Sequence, residues 1–263
     1  MVTSLSLPPF NYLIINFLSL SLFFIFLIKK FDYHKNKRFY FIYGWFFGFG
    51  YFVTNLYWIS ISLTFDQNFR ALIPITLIII PSFLAIFYGL VSYLFILLKP
   101  KKIISSFLLF SLIFGSLEFV RGSILTGFPW NLIAFSFSNQ LEILSITSVI
   151  GTYGFNLFCI SLFTSPAIFI LRDSKRDIGV CVFFLISIIM LYVHGSNYEK
   201  KFKNIKKNSF DFKVRVIGSN IKLDRFYRDV DPTLIIQDLI KISDPIVDEN
   251  IIFIWPEGIL PGI

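Results

Sequence analysis

Residues 71–98 read ALIPITLIIIPSFLAIFYGLVSYLFILL, 28 residues without one charged side chain. A helix needs about 20 mainly apolar residues to cross the hydrocarbon core of a bilayer. This stretch has turns to spare. Pro81 lies well inside it and predicts a kink, because its ring removes one backbone donor. Working outward, comparable runs occupy Phe10–Ile28, Phe39–Leu63, Ile103–Phe119, Ile143–Leu171 and Ile178–Val193. With Ala71–Leu98 they make six expected spans. Pro8-Pro9, just before the first run, marks the expected start of its helix.

Composition agrees. Apolar residues are 56 % of the 263, with 35 Phe, and charged residues are 15 %, against about a quarter in an average soluble domain. Mean hydropathy is +0.73. A disordered chain needs low hydrophobicity and high charge. An ordinary soluble globule lacks the polar surface to cover this much Phe, Ile and Leu. The net charge of +8 raises nucleic acid as a partner in general. Here the basic residues fall in loops between spans, which argues for no nucleic acid.

Those loops order the spans. Loops 29–38, 99–102 and 172–177 hold eleven Lys and Arg, among them Lys29, Lys99 and Arg172. Loops 64–70 and 120–142 hold two, Arg70 and Arg121. Basic loops face the cytoplasm, so both chain ends are expected on the opposite side. The first charged residue is Lys29, after the first apolar run, so no signal peptide with a positive start is expected.

From about residue 198 the sequence changes character. Residues 1–197 read as the bundle, 198–211 as a basic linker and 212–263 as the start of another domain. The linker lysines 200, 201, 203, 206 and 207 suit either a solvated face or contact with anionic headgroups. FKVRVI at 212–217 alternates as a strand does. Asp231-Pro232 reads as an N-cap with Pro at the first helical position, opening an amphipathic helix over Thr233–Ile242. IIFIW at 251–255 reads as a buried strand. Together they predict one β-α-β unit, which alone cannot bury both faces of its sheet.

Few residues stand out as chemistry. Glu257 follows the second strand, where open α/β sheets place functional groups, and Gly258 permits a sharp turn there. A carboxylate at the mouth of an apolar strand suits a general base; the plain alternative is a surface turn residue. Glu118 and Arg121 share one face at the end of the fourth span. They suit an interfacial ion pair that snorkels to the headgroups, or recognition of a phosphate. Gly127-Phe128-Pro129-Trp130 reads as a rigid aromatic turn at the outer interface, and Tyr57 and Trp58 fit the aromatic belt. Asn55 and Asn156 read as interhelical hydrogen-bond partners. Cys159 and Cys181 lie in apolar runs and read as packing residues rather than thiolates. His34 and His194 fall at opposite membrane edges, so no metal site is expected.

The order of four motifs is distinctive: GWFFGFGYFVTNLYWIS at 44–60, LEFVRGSILTGFPWN at 117–131, VRVIGSN at 214–220 and FIWPEG at 253–258. This order resembles bacterial apolipoprotein N-acyltransferases, which fuse a membrane bundle to a nitrilase-like (carbon-nitrogen hydrolase) domain. The resemblance covers nearly the whole chain. It implies a multi-span helical bundle followed by the beginning of an α/β/β/α nitrilase-like domain on the periplasmic side of the inner membrane. It implies lipoprotein maturation: a Cys takes an acyl chain from a phospholipid, then passes it to the N-terminal diacylglyceryl-cysteine of an apolipoprotein. Glu257 matches the family's general base. Phe226-Tyr227 stands where the family commonly has Lys-Trp, and with Glu118, Arg121 and Trp130 makes the candidate lipid- and substrate-contacting set. No cofactor is implied.

The chain also departs from the family. The family's Lys and Cys lie downstream of the WPE motif, and Gly218-Ser219-Asn220 replaces the usual Gln-Pro-Asn. Related sequences usually begin with one more span before the PPF-like segment. The expectation is an N-acyltransferase chain truncated at the C-terminus, and at the N-terminus as well, that is inactive alone. The alternatives are half of a split enzyme completed by a separate polypeptide, or a non-enzymatic transporter or scaffold.

Overall fold

The computed structural model describes residues 2–30, 36–124, 127–205, 211–218, 231–246 and 249–258. Among these, six helices are long and apolar enough to cross a membrane. They are α1 (Leu13–Lys30), α2 (Lys37–Leu56), α3 (Ile73–Leu98), α4 (Ile103–Ser123), α6 (Thr147–Leu171) and α7 (Ile178–Lys203); a one-turn α5 (Leu141–Leu144) precedes α6. The count and order are those of the apolar runs. The chain forms two compact units, one of Met1–Ser60 with Leu72–Asn204 and one of Ile61–Ala71 with Ile205–Ile263.

Several boundaries differ from the sequence reading. Pro8-Pro9 does not open α1, which begins at Leu13 after a short 3-10 turn, Val2–Ser6. α2 tightens into a 3-10 helix over Tyr57–Thr64. α3 runs through Pro81 as one element. α7 continues ten residues past Val193, so residues 198–203 are helix and not linker. Lys200, Lys201 and Lys203 fill its last turn, where cations complement the helix dipole. Glu199 and Lys203 add an exposed pair at i,i+4.

α2 and α3 pack in close contact because α2 lacks side chains where they cross. A Cβ on Gly48 would stand 2.7 Å from the Tyr88 Cβ, and one on Gly44 would stand 2.9 Å from the Ser92 Cβ. Two glycines four apart let backbones approach as small residues do in membrane helix pairs. The core beside them is aromatic. Phe24 meets Phe95 at 5.7 Å and Phe110 at 5.1 Å between centroids, and Tyr88 meets Phe114 edge-on at 4.9 Å. The first two pairs are tilted, and the third sets a ring edge against a ring face. α6 packs against α1, α4 and α7. Its first turn is offset from the rest at Gly151, whose φ of 72° is outside the helical region. Ile75, Ile78, Ile79, Leu108, Leu112, Phe183 and Ile189 are exposed around the bundle. A helix face this apolar is at home in lipid.

The other unit holds β1 (Lys213–Val216), α8 (Pro232–Ser243) and β2 (Ile251–Ile254). The strands pair in parallel, Lys213 opposite Ile251 and Val216 opposite Ile254. α8 opens on the expected cap: the Asp231 side chain accepts from the Thr233 backbone N–H at 2.9 Å. Ile235 and Leu239 are buried, while Val214, Val216, Ile252 and Ile254 are exposed. One side of the sheet is therefore apolar and bare.

Candidate functional site

The last turn of α4 carries Glu118 and Arg121. The ion pair read from the sequence forms, but buried in the protein rather than snorkelling. Both side chains are 1 % exposed, closed in by the loop that follows α4. Arg121 Nη2 donates to Glu118 Oε2 at 2.6 Å and Nε donates to Oε1 at 3.3 Å. Its Nη1 donates to the Phe128 carbonyl at 2.6 Å and the Trp130 carbonyl at 3.1 Å. The Phe52 ring lies 5.3 Å from the guanidinium carbon. A buried cation needs a charged partner and its remaining donors satisfied, and here both conditions are met. Arg121 serves as the anchor of the loop.

Other bonds set the loop's path. Gly127 has φ 79°, a left-handed conformation that glycine adopts without strain. Phe128 N–H donates to the Arg121 carbonyl at 3.0 Å. The Tyr51 hydroxyl donates to the Asn131 carbonyl at 2.7 Å, and the Asn156 side chain accepts from the Ala134 N–H at 3.0 Å. Asn156, read as a partner between spans, instead ties α6 to the 3-10 turn Ile133–Phe137 of the loop. Asn55 instead donates to the Tyr51 carbonyl of its own helix, because a residue four back always lies within reach.

Held this way, Trp130 is half-exposed and stacks on Trp58 at 5.1 Å with 13° between planes. The two indoles wall a cleft of about 470 Å³ that Leu132, Phe135, Thr152 and Tyr153 also line. Neither Glu118 nor Arg121 lines it. An open cleft of apolar walls with a few polar atoms suits an amphipathic ligand that brings a hydrocarbon chain. Sequence reasoning missed Tyr51, Asn131 and Tyr153. The signal for Tyr153 lay in Gly122, where any Cβ would collide with the Tyr153 hydroxyl.

Glu257 belongs to the other unit. It is exposed in a turn with Gly258, whose φ is 64°, and makes no hydrogen bond among the described residues. The segment leading to it is well fixed. Trp255 Nε1 donates to Ser243 Oγ at 3.0 Å. Arg215 Nη1, from β1, donates to the Ser243 and Asp244 carbonyls at 2.7 and 2.8 Å. That guanidinium caps the C-terminal end of α8, where carbonyls lack helical partners. Phe226 and Tyr227 lie outside the described residues.

Neither cysteine belongs to the unit of Glu257. Cys159 is fully buried in α6, and Cys181 donates to the Ser165 carbonyl at 3.2 Å. No three His, Cys, Asp or Glu side chains among the described residues form a group that could hold a metal. The structure thus brings Glu118, Arg121 and Trp130 together.

The comparisons with known proteins match these elements. The family model described as "Apolipoprotein N-acyltransferase N-terminal domain" matches residues 1–164. The chain is 30 % identical to an apolipoprotein N-acyltransferase of Rhodopseudomonas palustris over 229 residues, 83 % of this chain and 42 % of the relative. It is 33 % identical to one of Rhizobium etli, over 69 % of this chain and 35 % of the relative. With one of Rhizobium leguminosarum it shares 28 % identity over 98 % of this chain and 50 % of the relative. The chain spans half or less of the length of these curated relatives. The family-model match covers most of the bundle, with the buried Arg121 anchor and its aromatic cleft inside it, and on that match the chain belongs to the apolipoprotein N-acyltransferase family.

Proposed function

We propose that this chain contributes the membrane bundle and the opening strands of the nitrilase-like domain to an apolipoprotein N-acyltransferase of the bacterial inner membrane. Residues 212–263 are then the start of that domain, on the periplasmic side. The acyl donor is a membrane phospholipid, and the acceptor is the N-terminal diacylglyceryl-cysteine of an apolipoprotein. The observation that carries this reading is the parallel β1-α8-β2 unit with Glu257 just past the end of β2, the position where α/β sheets present reactive groups.

In this mechanism Glu257 accepts the thiol proton of a Cys nucleophile. The thiolate attacks the phospholipid ester carbonyl, a C–S bond forms, and the lysophospholipid leaves as the C–O bond breaks, its oxygen taking the proton back from Glu257. The acceptor amine then attacks the thioester, forming an amide and returning the thiol. A Lys stabilises the oxyanion of each tetrahedral intermediate. Cys159 and Cys181 are not that nucleophile: both sit in bundle helices and read as packing. On this reading the Cys and Lys come from polypeptide outside these 263 residues, contiguous with them or separate, and residues 1–263 alone are inactive. The cleft at Trp58 and Trp130 receives an acyl chain, with Arg121 holding its wall.

The test supplies radiolabelled phospholipid to membranes containing this chain, with and without a fragment of a relative that carries the downstream Lys and Cys. Hydroxylamine-labile label on the added fragment is expected, lost in Glu257→Gln. Label on Cys159 or Cys181 of the chain alone, dependent on Glu257, overturns the reading.

A further inference from the structure

At the other end of the bundle, α2 and α3 enclose a second groove of about 390 Å³. Phe41, Ile42, Leu90 and Tyr93 line it, and the one charged side chain on it is Arg38. Gly89 shapes it. A Cβ there would come within 2.8 Å of the Phe41 ring, so the bare backbone is what lets that ring lie against α3. The α2 helix is 20 residues long, about 30 Å at 1.5 Å per residue. Arg38 and the Trp58 cleft therefore stand near opposite ends of one helix.

We propose that this groove binds an anionic phospholipid, its acyl chain between α2 and α3 and its phosphate on the Arg38 guanidinium. Two properties point to that occupant. First, Ile42, Ile86 and Leu97 are exposed on the same helices, so the neighbouring solvent is hydrocarbon and an acyl chain is the natural filling. Second, the rim is basic. Arg38 forms no ion pair among the described residues, and exposed Lys37, Lys101 and Lys102 occupy the same end of the helix pair. A planar guanidinium offers two parallel donors to a phosphate. Tyr93 has an apolar ring for the chain and a polar tip for the headgroup level. The charge and the groove select a lipid that has both a chain and a net negative headgroup.

The test uses the full chain in detergent with native mass spectrometry, titrating dioleoylphosphatidylglycerol or dioleoylphosphatidylcholine. One phosphatidylglycerol should be retained roughly tenfold more strongly than phosphatidylcholine. Arg38→Gln should remove that preference. Leu90→Trp should fill the groove and release the lipid; Ile42→Trp, at an exposed position, does the same without touching the core. Lys175→Gln, exposed in another loop and not on the groove, should leave retention unchanged. Equal retention of both lipids overturns the proposal. So does retention by both groove-filling variants, or an equal loss in Arg38→Gln and Lys175→Gln, which marks diffuse surface charge.

Discussion

The Tyr51 hydroxyl and the Asn131 carbonyl meet at 2.7 Å across 80 residues of sequence. That bond joins α2 to the loop whose other end Arg121 holds. The loop is thus tied on both sides of Trp130, and the indole stays on Trp58 without depending on its own exposed face. Tyr51→Phe should loosen only one tie, at a cost of about 1 kcal/mol. Fluorescence quenching of Trp130 by acrylamide should rise while the bundle stays folded.

Arg121→Met leaves the Glu118 carboxylate buried without a partner. Removing one member of a buried pair costs about 3–5 kcal/mol. The double variant Glu118→Gln with Arg121→Met should recover part of that loss, because no lone charge remains. Thermal unfolding in detergent measures both. A double variant less stable than Arg121→Met alone refutes the pairing.

Gly48→Val places a branched side chain against Tyr88, where even a Cβ lies 2.7 Å from its neighbour. Overpacking of this kind costs about 1–3 kcal/mol. Gly179→Ala, with nothing within 4 Å of the added carbon, should leave the melting temperature where it is.

Asp231 sets a pH dependence in the other unit. The Thr233 backbone N–H holds its carboxyl below the ordinary aspartate value of 3.8. A group with a depressed folded pKa stabilises above its unfolded value and loses that contribution as pH falls through the folded one. Exchange protection of the first turn of α8 should therefore hold at neutral pH and fall below about pH 3.8. In Asp231→Asn the cap persists and this acid step should vanish.

Trp130→Ala removes one wall of the cleft. A photoreactive fatty-acyl phospholipid should crosslink to Tyr153 and Phe135 in the native chain and several-fold less in the variant, since stacking surfaces of this size hold chains by buried area. Undiminished crosslinking at Tyr153 would show that the chain lies elsewhere.

The spans were legible because a run of about 20 apolar residues has few other uses. The strand–helix–strand order at 213–254 was legible from local signals alone, a cap at Asp231 and alternation at 212–217. What covers a helix face was not. The i,i+3 spacing of Glu118 and Arg121 fixed their common side but not the loop that closes over it. The Trp58–Trp130 stack joins residues 72 positions apart, beyond any periodicity. The last turns of α7 were misread because a helix carried by i,i+4 pairs and dipole-matched lysines leaves no apolar run to see.

Arg215, in β1, and Trp255, the residue just past β2, reach the same end of α8. Side chains alternate between the faces of a sheet, so sliding either strand by one residue would carry its polar group away from that end. Ser243 and Asp244 then act as a checkpoint for strand pairing: only one alignment of β1 with β2 delivers both donors at once. A mispaired sheet leaves the end of α8 with only its backbone cap, the Asp244 N–H on the Ile240 and Lys241 carbonyls. The crossover helix thereby proofreads the alignment that sets Glu257 past the end of β2.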